Sequence, residues 1–223
     1  EAGYKIYCAS QKGLFSYNRN DNSVQTLSKV TGLSEITIST IAYSSAYNCL
    51  VIAYENANID LIVNNRIINI SDIKRKNLTG DKSIYGIEFR NQYAYLSCGF
   101  GIVVLDISKY EIADTYIIGP SGTEIQVFDI AINGSTIYAA TENGVYAADL
   151  NNPYLINYTS WSVSFPDNGN AGDCNMIEMF NNQVVMNYAK PNASSSNVDE
   201  VYVFNGSTWN LAGGGFIQDN VRH

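Results

Sequence analysis

Short apolar runs alternate with clusters of asparagine, aspartate and glycine along the whole chain. Four pairs of runs, each pair split by a tight turn, occupy residues 6–17, 50–63, 94–106 and 137–150, and a looser fifth pair lies within 184–204. None of the runs shows the 3.6-residue periodicity of an amphipathic helix, and their length fits single buried strands. The pattern therefore predicts an all-β chain.

The strand pairs recur at a nearly constant spacing. Steps of 45, 43 and 43 residues separate the turn residues Gly13, Asn58, Gly101 and Gly144. The strands that precede each pair carry Ile41, Ile87, Ile130 and Ile177, with steps of 46, 43 and 47 residues. A repeat of this length, with about four strands and no helix, is typical of a β-propeller blade.

We predict one propeller domain of about five four-stranded blades, at residues 4–33, 38–72, 84–120, 126–166 and 174–213. The outer strand of the fourth blade is expected at about residues 156–165. Blade one lacks a first strand, and residues 217–223 lie about one period beyond Ile177. We expect residues 217–222 to pair with residues 4–10, because this closes an open sheet edge. The alternatives are a fragment of a larger propeller, in which residues 217–223 begin a sixth blade, and a homodimer that covers the same edge.

Composition and charge exclude several classes of partner. The net charge is −8 and the isoelectric point is near 4.5, so the chain repels a phosphate backbone and is not expected to bind nucleic acid. No apolar stretch reaches the 18 residues of a membrane span. The four cysteines, Cys8, Cys49, Cys98 and Cys174, are spread over separate repeats without metal-binding spacing. We expect them to be free and buried.

Few residues of the chain are of the types and spacings that enzymes use for catalysis. The single histidine is His223, so no interior histidine can activate a nucleophile or bind zinc, and no phosphate-binding glycine loop occurs. We therefore predict no metal and no cofactor. The remaining catalytic possibility is a pair of carboxylates, as glycosidases use. The candidates are Glu88, Asp129 and Glu178, which lie next to the first-strand isoleucines, and Asp60. We interpret these acids as the lining of a solvated channel.

The turns between the second and third strands are the predicted partner-binding face. Loops on a rigid scaffold carry function more often than its strands do. These turns occupy residues 11–13, 55–58, 99–101 and 142–144, and a long serine- and asparagine-rich loop occupies 190–199. The residues predicted to meet a ligand or partner are Glu55, Asn56, Phe100, Glu142 and Asn143.

Several phrases resemble one family in the same order along the chain. They lie at residues 32–34, 50–63, 72–76 with 81–82, 94–106, 111–119 and 137–148. Together they resemble the N-terminal β-propeller of PorZ-like surface proteins of the Bacteroidetes type IX secretion system. Propeller domains of hybrid two-component sensors are more distantly similar.

The resemblance implies a location and a role. It implies an exported protein, at the outer cell surface or in the periplasm of a Gram-negative bacterium. The implied role is a non-enzymatic binding or scaffold propeller that works with cargo attachment and contacts protein partners, surface glycan or lipopolysaccharide. The alternatives are a carbohydrate-active five-bladed propeller enzyme and the ligand-sensing propeller of a two-component sensor.

Overall fold

The structure, a computed structural model, describes residues 2–10, 13–78, 80–166, 172–190 and 198–216. These residues form five antiparallel sheets in which each strand pairs with its neighbour in sequence. The first sheet contains β1 (Lys5–Ser10), β2 (Gly13–Asn18) and β3 (Val24–Leu27). The second contains β4 (Ile38–Ser44), β5 (Cys49–Tyr54), β6 (Ile59–Val63) and β7 (Arg66–Ile70). The prediction of an all-β chain is confirmed.

The remaining three sheets repeat the four-stranded order. The third contains β8 (Ile84–Arg90), β9 (Tyr93–Cys98), β10 (Gly101–Asp106) and β11 (Glu111–Tyr116). The fourth contains β12 (Val127–Asn133), β13 (Thr136–Thr141), β14 (Gly144–Asp149) and β15 (Ser162–Ser164). The fifth contains β16 (Asp173–Phe180), β17 (Gln183–Lys190), β18 (Val198–Phe204) and β19 (Trp209–Phe216).

Helical structure in the described residues amounts to single turns. The helix α1 spans Asp72–Arg75, and 3-10 turns occupy Lys29–Thr31, Pro120–Gly122 and Tyr158–Ser160. The segment that contains α1 reads in the sequence only as a polar connection, because a single turn is too short to show a helical period. Ile73 anchors α1 with its buried side chain.

The first strand of every four-stranded sheet carries a β-bulge at the same register. The pairs across the four bulges are Ile38 and Thr40, Ile84 and Gly86, Val127 and Asp129, and Cys174 and Met176. In each case the residue before the bulge is buried and pairs with the last or nearly last residue of the second strand. The steps between bulges equal those between the isoleucines found in the sequence, since each isoleucine follows its bulge by the same interval.

Burial is deepest in the second and third strands of the sheets. Every residue of β5 and of β10 is buried, and β9 is buried beyond its first residue. These strands lack polar alternation because both faces of the sheet are covered. In the first sheet, β1 contains no fully buried residue, although it takes the place of a second strand.

The β5–β6 turn and the outer strand of the fourth sheet depart from the repeat. The left-handed residue of the β5–β6 turn is Ala57, with φ 62°, and four residues separate β5 from β6, whereas two separate β9 from β10 and β13 from β14. The outer strand expected at residues 156–165 is limited to β15. The preceding residues form turns instead, because Asn157 accepts a hydrogen bond from the Thr159 N–H and the indole of Trp161 donates to the Leu155 carbonyl.

The chain divides into two compact units. One unit comprises Glu1–Gly99 with Val103–Asp114, and the other comprises Phe100–Ile102 with Thr115–His223. The core of the first includes Leu14, Leu50, Ile52 and Tyr54, whereas that of the second includes Ile177, Met186 and Tyr188. The predicted closing segment, residues 217–222, lies outside the described residues, so closure stays a prediction.

Candidate functional site

The turns after the second strands are tied to the residues that precede the first strands. The residue that follows the second strand donates its N–H to a carbonyl just before the first strand, over 3.0 to 3.4 Å. The three bonds run from Glu55 to Thr37, from Gly99 to Ser83, and from Glu142 to Gln126. The bulges lie at the same ends of these sheets, so each turn is held against the start of its first strand.

In the second sheet this end is organised around Asp60. The side chain of Asp60 is fully buried and accepts four hydrogen bonds, from the Ser34 N–H and hydroxyl, the Tyr54 hydroxyl and the Asn69 amide, at 2.7 to 2.9 Å. These four neutral donors supply the hydrogen bonds of the carboxylate, and no lysine or arginine among the described residues forms an ion pair with it. Burial, followed by the Asp60 carboxylate, raises the pKa of the Tyr54 phenol, which therefore stays a donor.

The network continues from Asp60 to the surface. The amide of Asn69 also donates to Asn58, whose own amide reaches Glu35 at 3.3 Å. Glu35 forms an ion pair with Lys74 of α1. The hydrogen bond from Lys74 holds the pKa of Glu35 below its usual value, against the opposing effect of burial. A continuous chain of polar contacts thus connects the β5–β6 turn, β7 and α1.

The phrase at residues 72–76 and 81–82 has a structural role. The ammonium group of Lys82 donates hydrogen bonds to the carbonyls of Lys74 and Lys76, and so caps the end of α1. Asp81 accepts hydrogen bonds from Ser83 and from the Tyr85 hydroxyl, which lower its pKa although burial opposes them. A Cβ on Gly99 would lie 2.6 Å from the Asp81 carbonyl oxygen, so only glycine fits this turn.

The turn of the fourth sheet is stabilised by its own side chains. The Thr141 hydroxyl donates to the Gly144 carbonyl at 2.7 Å and accepts the Asn143 N–H at 3.0 Å. A carboxylate oxygen of Glu142 accepts the Gln126 N–H at 3.2 Å. Most polar groups of this turn are therefore used to fix its conformation.

The residues of the predicted partner face differ in exposure. Glu55, Asn56 and Glu142 are exposed, and Asn143 is half-buried. Phe100 does not fit the prediction, because its side chain is only 1% exposed and belongs to the interior. The sequence pattern does not single out Glu35, Ser34 and Lys74, because their contribution depends on contacts far along the chain. Ser34 and Lys74 lie in the short phrases at 32–34 and 72–76, which were the available signal, and Glu35 directly follows the first of these phrases.

The three predicted channel acids occupy equivalent strands but different environments. Glu88 and Asp129 are half-buried and Glu178 is exposed. The Asp129 carboxylate accepts the N–H groups of Ile130 and Ile177, at 2.9 and 3.0 Å, and so connects β12 with β16. Glu178 accepts the N–H of Met179 at 2.9 Å. Asp129 thus has a structural use that its place in the sequence does not reveal.

The described ranges contain no group of three or more histidine, cysteine or acidic side chains placed to hold a metal ion. No helix there is long and apolar enough to cross a membrane. All four cysteines are free, and Cys49, Cys98 and Cys174 are buried.

Repeated four-stranded meanders with a shared bulge and fixed turns define a β-propeller domain. The family model of the type IX secretion system PorZ N-terminal β-propeller domain matches residues 6–162. The chain belongs to this family. The predicted resemblance is thereby confirmed, and the matched range contains the networks of Asp60 and Asp81 and the Thr141 turn.

Comparison with solved structures supports the same fold. PorZ of Porphyromonas gingivalis, described as an essential bacterial surface component of the type IX secretion system, aligns with a TM-score of 0.80 at 21% identity. The alignment covers 96% of this chain and 27% of PorZ. The extracellular domain of a putative hybrid two-component system from B. thetaiotaomicron aligns with a TM-score of 0.66 at 14% identity, over 94% of this chain and 28% of that one.

A propeller of different context is also similar. The Cps50 (Swd1) propeller of Myceliophteria thermophila aligns with a TM-score of 0.63 at 11% identity, over 95% of this chain and 68% of that one. No curated protein matches the sequence. The chain spans little more than a quarter of the length of PorZ, and identities this low establish the fold alone.

Proposed function

We propose that this chain is a non-enzymatic binding and scaffold propeller of an exported protein, acting with cargo attachment in a type IX secretion system. The observation that carries the proposal is membership of the PorZ propeller family over residues 6–162. The proposed location is the outer cell surface or the periplasm of a Gram-negative bacterium of the Bacteroidetes type. The proposed partners are proteins of the same system.

The fixed turns support a binding role. Thr141 stabilises the β13–β14 turn through a hydrogen bond from its hydroxyl to the Gly144 carbonyl. Asp60 and Asp81 stabilise segments next to the β5–β6 and β9–β10 turns, by accepting the N–H groups of Ser34 and Ser83. A surface that is ordered before binding loses less conformational entropy on association. Glu55, Asn56 and Glu142 project from these turns and are exposed, so we propose them as partner contacts.

The acids support a structural interpretation over a glycosidase. A general acid has to exchange its proton with the substrate during the reaction. The Asp129 carboxylate instead accepts the N–H groups of Ile130 and Ile177, which connects β12 with β16. Turnover of aryl glycosides or arabinan that is lost in Glu88→Gln or Asp129→Asn would contradict the non-enzymatic role.

Site-specific photocrosslinking in the host tests the partner face. A photoreactive residue placed at Glu55, Asn56 or Glu142 should crosslink to a type IX secretion component, identified by mass spectrometry. Asn91 and Asn181, which form turns at the opposite ends of the third and fifth sheets, are the matched controls. Crosslinks equally frequent at the control positions, or only to cytoplasmic proteins, would contradict the proposal.

A further inference from the structure

Several turns of the chain contain an asparagine that is followed directly by a glycine. The described pairs are Asn133 with Gly134 in the β12–β13 turn, Asn143 with Gly144 at the β13–β14 turn, and Asn205 with Gly206 between β18 and β19. A further pair, at residues 168–169, lies outside the described residues. The side-chain amide of such an asparagine can react with the backbone nitrogen of the next residue, and glycine hinders that approach least because it has no Cβ.

The β12–β13 turn leaves both reacting groups accessible. Asn133 is exposed, and its side chain forms no hydrogen bond within the described part of the chain. It is the last residue of β12 and pairs with Thr136, so Gly134 and Ser135 form a two-residue turn. Gly134 has φ 61°, its N–H has no hydrogen-bond partner among the described residues, and an added Cβ would meet no atom within 4 Å. The turn can therefore change its conformation without displacing a neighbour.

Asn205 occupies the same sequence triplet in a fixed turn. Both Asn133 and Asn205 are followed by glycine and serine, and both are exposed. The carboxamide oxygen of Asn205, however, accepts the N–H groups of Ser207 and Thr208 at 2.9 and 2.8 Å. The amide nitrogen of Asn205 donates to the Thr208 hydroxyl at 3.0 Å. These bonds hold the carboxamide and have to break before it can reach the Gly206 nitrogen.

The pair at the β13–β14 turn is constrained by packing. Asn143 is half-buried and Gly144 is buried. The Asn143 N–H donates to the Thr141 hydroxyl at 3.0 Å, and a Cβ on Gly144 would lie 2.8 Å from the Phe165 ring. The main chain of this turn therefore has little room to rotate.

We propose that Asn133 is a site of spontaneous covalent modification, in which its side-chain amide is converted to a carboxylate. The backbone nitrogen of Gly134 loses its proton to solvent base and forms a bond to the side-chain carbonyl carbon of Asn133. The bond from that carbon to the amide nitrogen breaks, and the nitrogen leaves as ammonia. Water then adds to one of the two carbonyl carbons of the resulting five-membered succinimide and opens it to aspartate or isoaspartate. Water is the only co-reactant, and no group is oxidised or reduced.

The modification changes both the charge and the main chain of the β12–β13 turn. Either product carries a negative charge that asparagine lacks. The isoaspartate product also inserts the side-chain carbon into the main chain, next to the pair of Asn133 with Thr136. The pairing at this end of the fourth sheet is therefore expected to weaken. The site is independent of the proposed partner face, because the β12–β13 and β13–β14 turns lie at opposite ends of β13.

Ageing of the intact chain in mildly alkaline buffer tests the proposal. Peptide mapping by mass spectrometry measures the replacement of NH2 by OH at each asparagine, and isoaspartate methyltransferase labels the isoaspartate product. The reference is the same chain in concentrated urea, where Asn133 and Asn205 have the same local sequence. The quantity compared is the native rate at each site divided by its rate in urea. This ratio is expected to be at least about tenfold higher at Asn133, because the side-chain hydrogen bonds of Asn205 have to break first.

Two variants connect the reaction to the turn. Gly134→Ala places a Cβ next to the attacking nitrogen, and is expected to slow the reaction at Asn133 and to leave the rate at Asn205 unchanged. Asn133→Gln has a longer side chain that would have to close a six-membered ring, and is expected to abolish the modification of this peptide. Circular dichroism shows whether each variant keeps its fold.

The result that overturns the proposal is equally specific. Equal ratios at Asn133 and Asn205 would overturn it, as would an Asn133 that stays unmodified in the native protein while the chain in urea reacts. A Gly134→Ala variant that reacts as fast as the parent would also overturn it, because the Gly134 nitrogen would then not be the attacking group.

Discussion

Asp60 shows at the residue scale how a buried carboxyl group is accommodated in this fold. No lysine or arginine forms an ion pair with it among the described residues, and its four hydrogen-bond donors are all neutral. Asp60 is recognisable from the sequence as an acid in an apolar strand, which suggests chemistry. Ser34 and Asn69 are 26 and 9 residues away, so the sequence does not show that these residues donate hydrogen bonds to the carboxylate.

Replacement of Asp60 should therefore be costly. Asp60→Ala leaves the buried Tyr54 hydroxyl and the half-buried N–H and hydroxyl of Ser34 without this acceptor, and is expected to lower the free energy of unfolding by about 3 kcal/mol. Urea denaturation measures this change. Asp72→Ala removes a 60% exposed side chain whose one ion pair within the described residues is with Arg75, and should cost less than about 1 kcal/mol. Equal effects of the two substitutions would contradict the structural role of Asp60.

The thiols give a second residue-scale prediction. Burial raises the pKa of Cys49 to about 11 and that of Cys174 to about 12, and raises the pKa of Cys98 still further. Because thiolate is the reactive form, these three groups should be unreactive in the folded protein at pH 8. Ellman's reagent should modify only the partly exposed Cys8, and all four after denaturation. Rapid reaction of more than one thiol in the native protein would be evidence against this burial.

At the element scale, the sequence predicts strands better than their ends. The inner strands are correctly placed because their apolar runs are bounded by glycine, asparagine or aspartate. The edge strand β15 is shorter than predicted, because the side chains of Asn157 and Trp161 stabilise turns just before it. The one-turn helix α1 depends on Lys82 and Glu35, and such contacts leave no periodic pattern.

Gly101 is the sharpest test of a turn element. It has φ 143°, and a Cβ at this position would collide with the Tyr116 carbonyl oxygen of β11. Gly101→Ala is therefore expected to destabilise the protein by more than about 2 kcal/mol, measured by thermal denaturation. The control Gly134→Ala also has a positive φ, 61°, but meets no atom within 4 Å. It should cost only about 1 kcal/mol, and a Gly101 variant no worse than this control would refute the close approach.

At the scale of the whole molecule, repetition is what the sequence reveals most directly. A period of 43 to 47 residues is enough to predict the propeller class, because each unit repeats the same strand order. The repeat does not in itself predict closure, because closure depends on the pairing of residues 217–222 with another strand. The burial of Phe100, a predicted contact residue, was not foreseen for a similar reason, because its turn sequence does not encode the contacts that bury it.

The first sheet gives a prediction about the distribution of stability. Strand β1 contains no fully buried residue, whereas β5 and β10 are buried throughout. Amide hydrogen exchange should therefore be faster in β1 than in β5 of the same unit, because its edge opens at lower cost. Hydrogen exchange with mass spectrometry or NMR measures this difference. Protection of β1 equal to that of β5 would mean that another strand covers its edge in solution.

The shared bulge determines which changes in chain length this architecture tolerates. Between bulges the spacing varies by several residues, and the variation is taken up in connections outside the strands. An insertion in such a connection does not change which side chains of the strands point to each face of the sheet. Loss of the single extra residue at Ser39 or Asn175 instead exchanges the two sides for all residues on one flank of the bulge. Natural variants of this domain are therefore expected to differ by indels in the connections and to keep the length of the first strands constant.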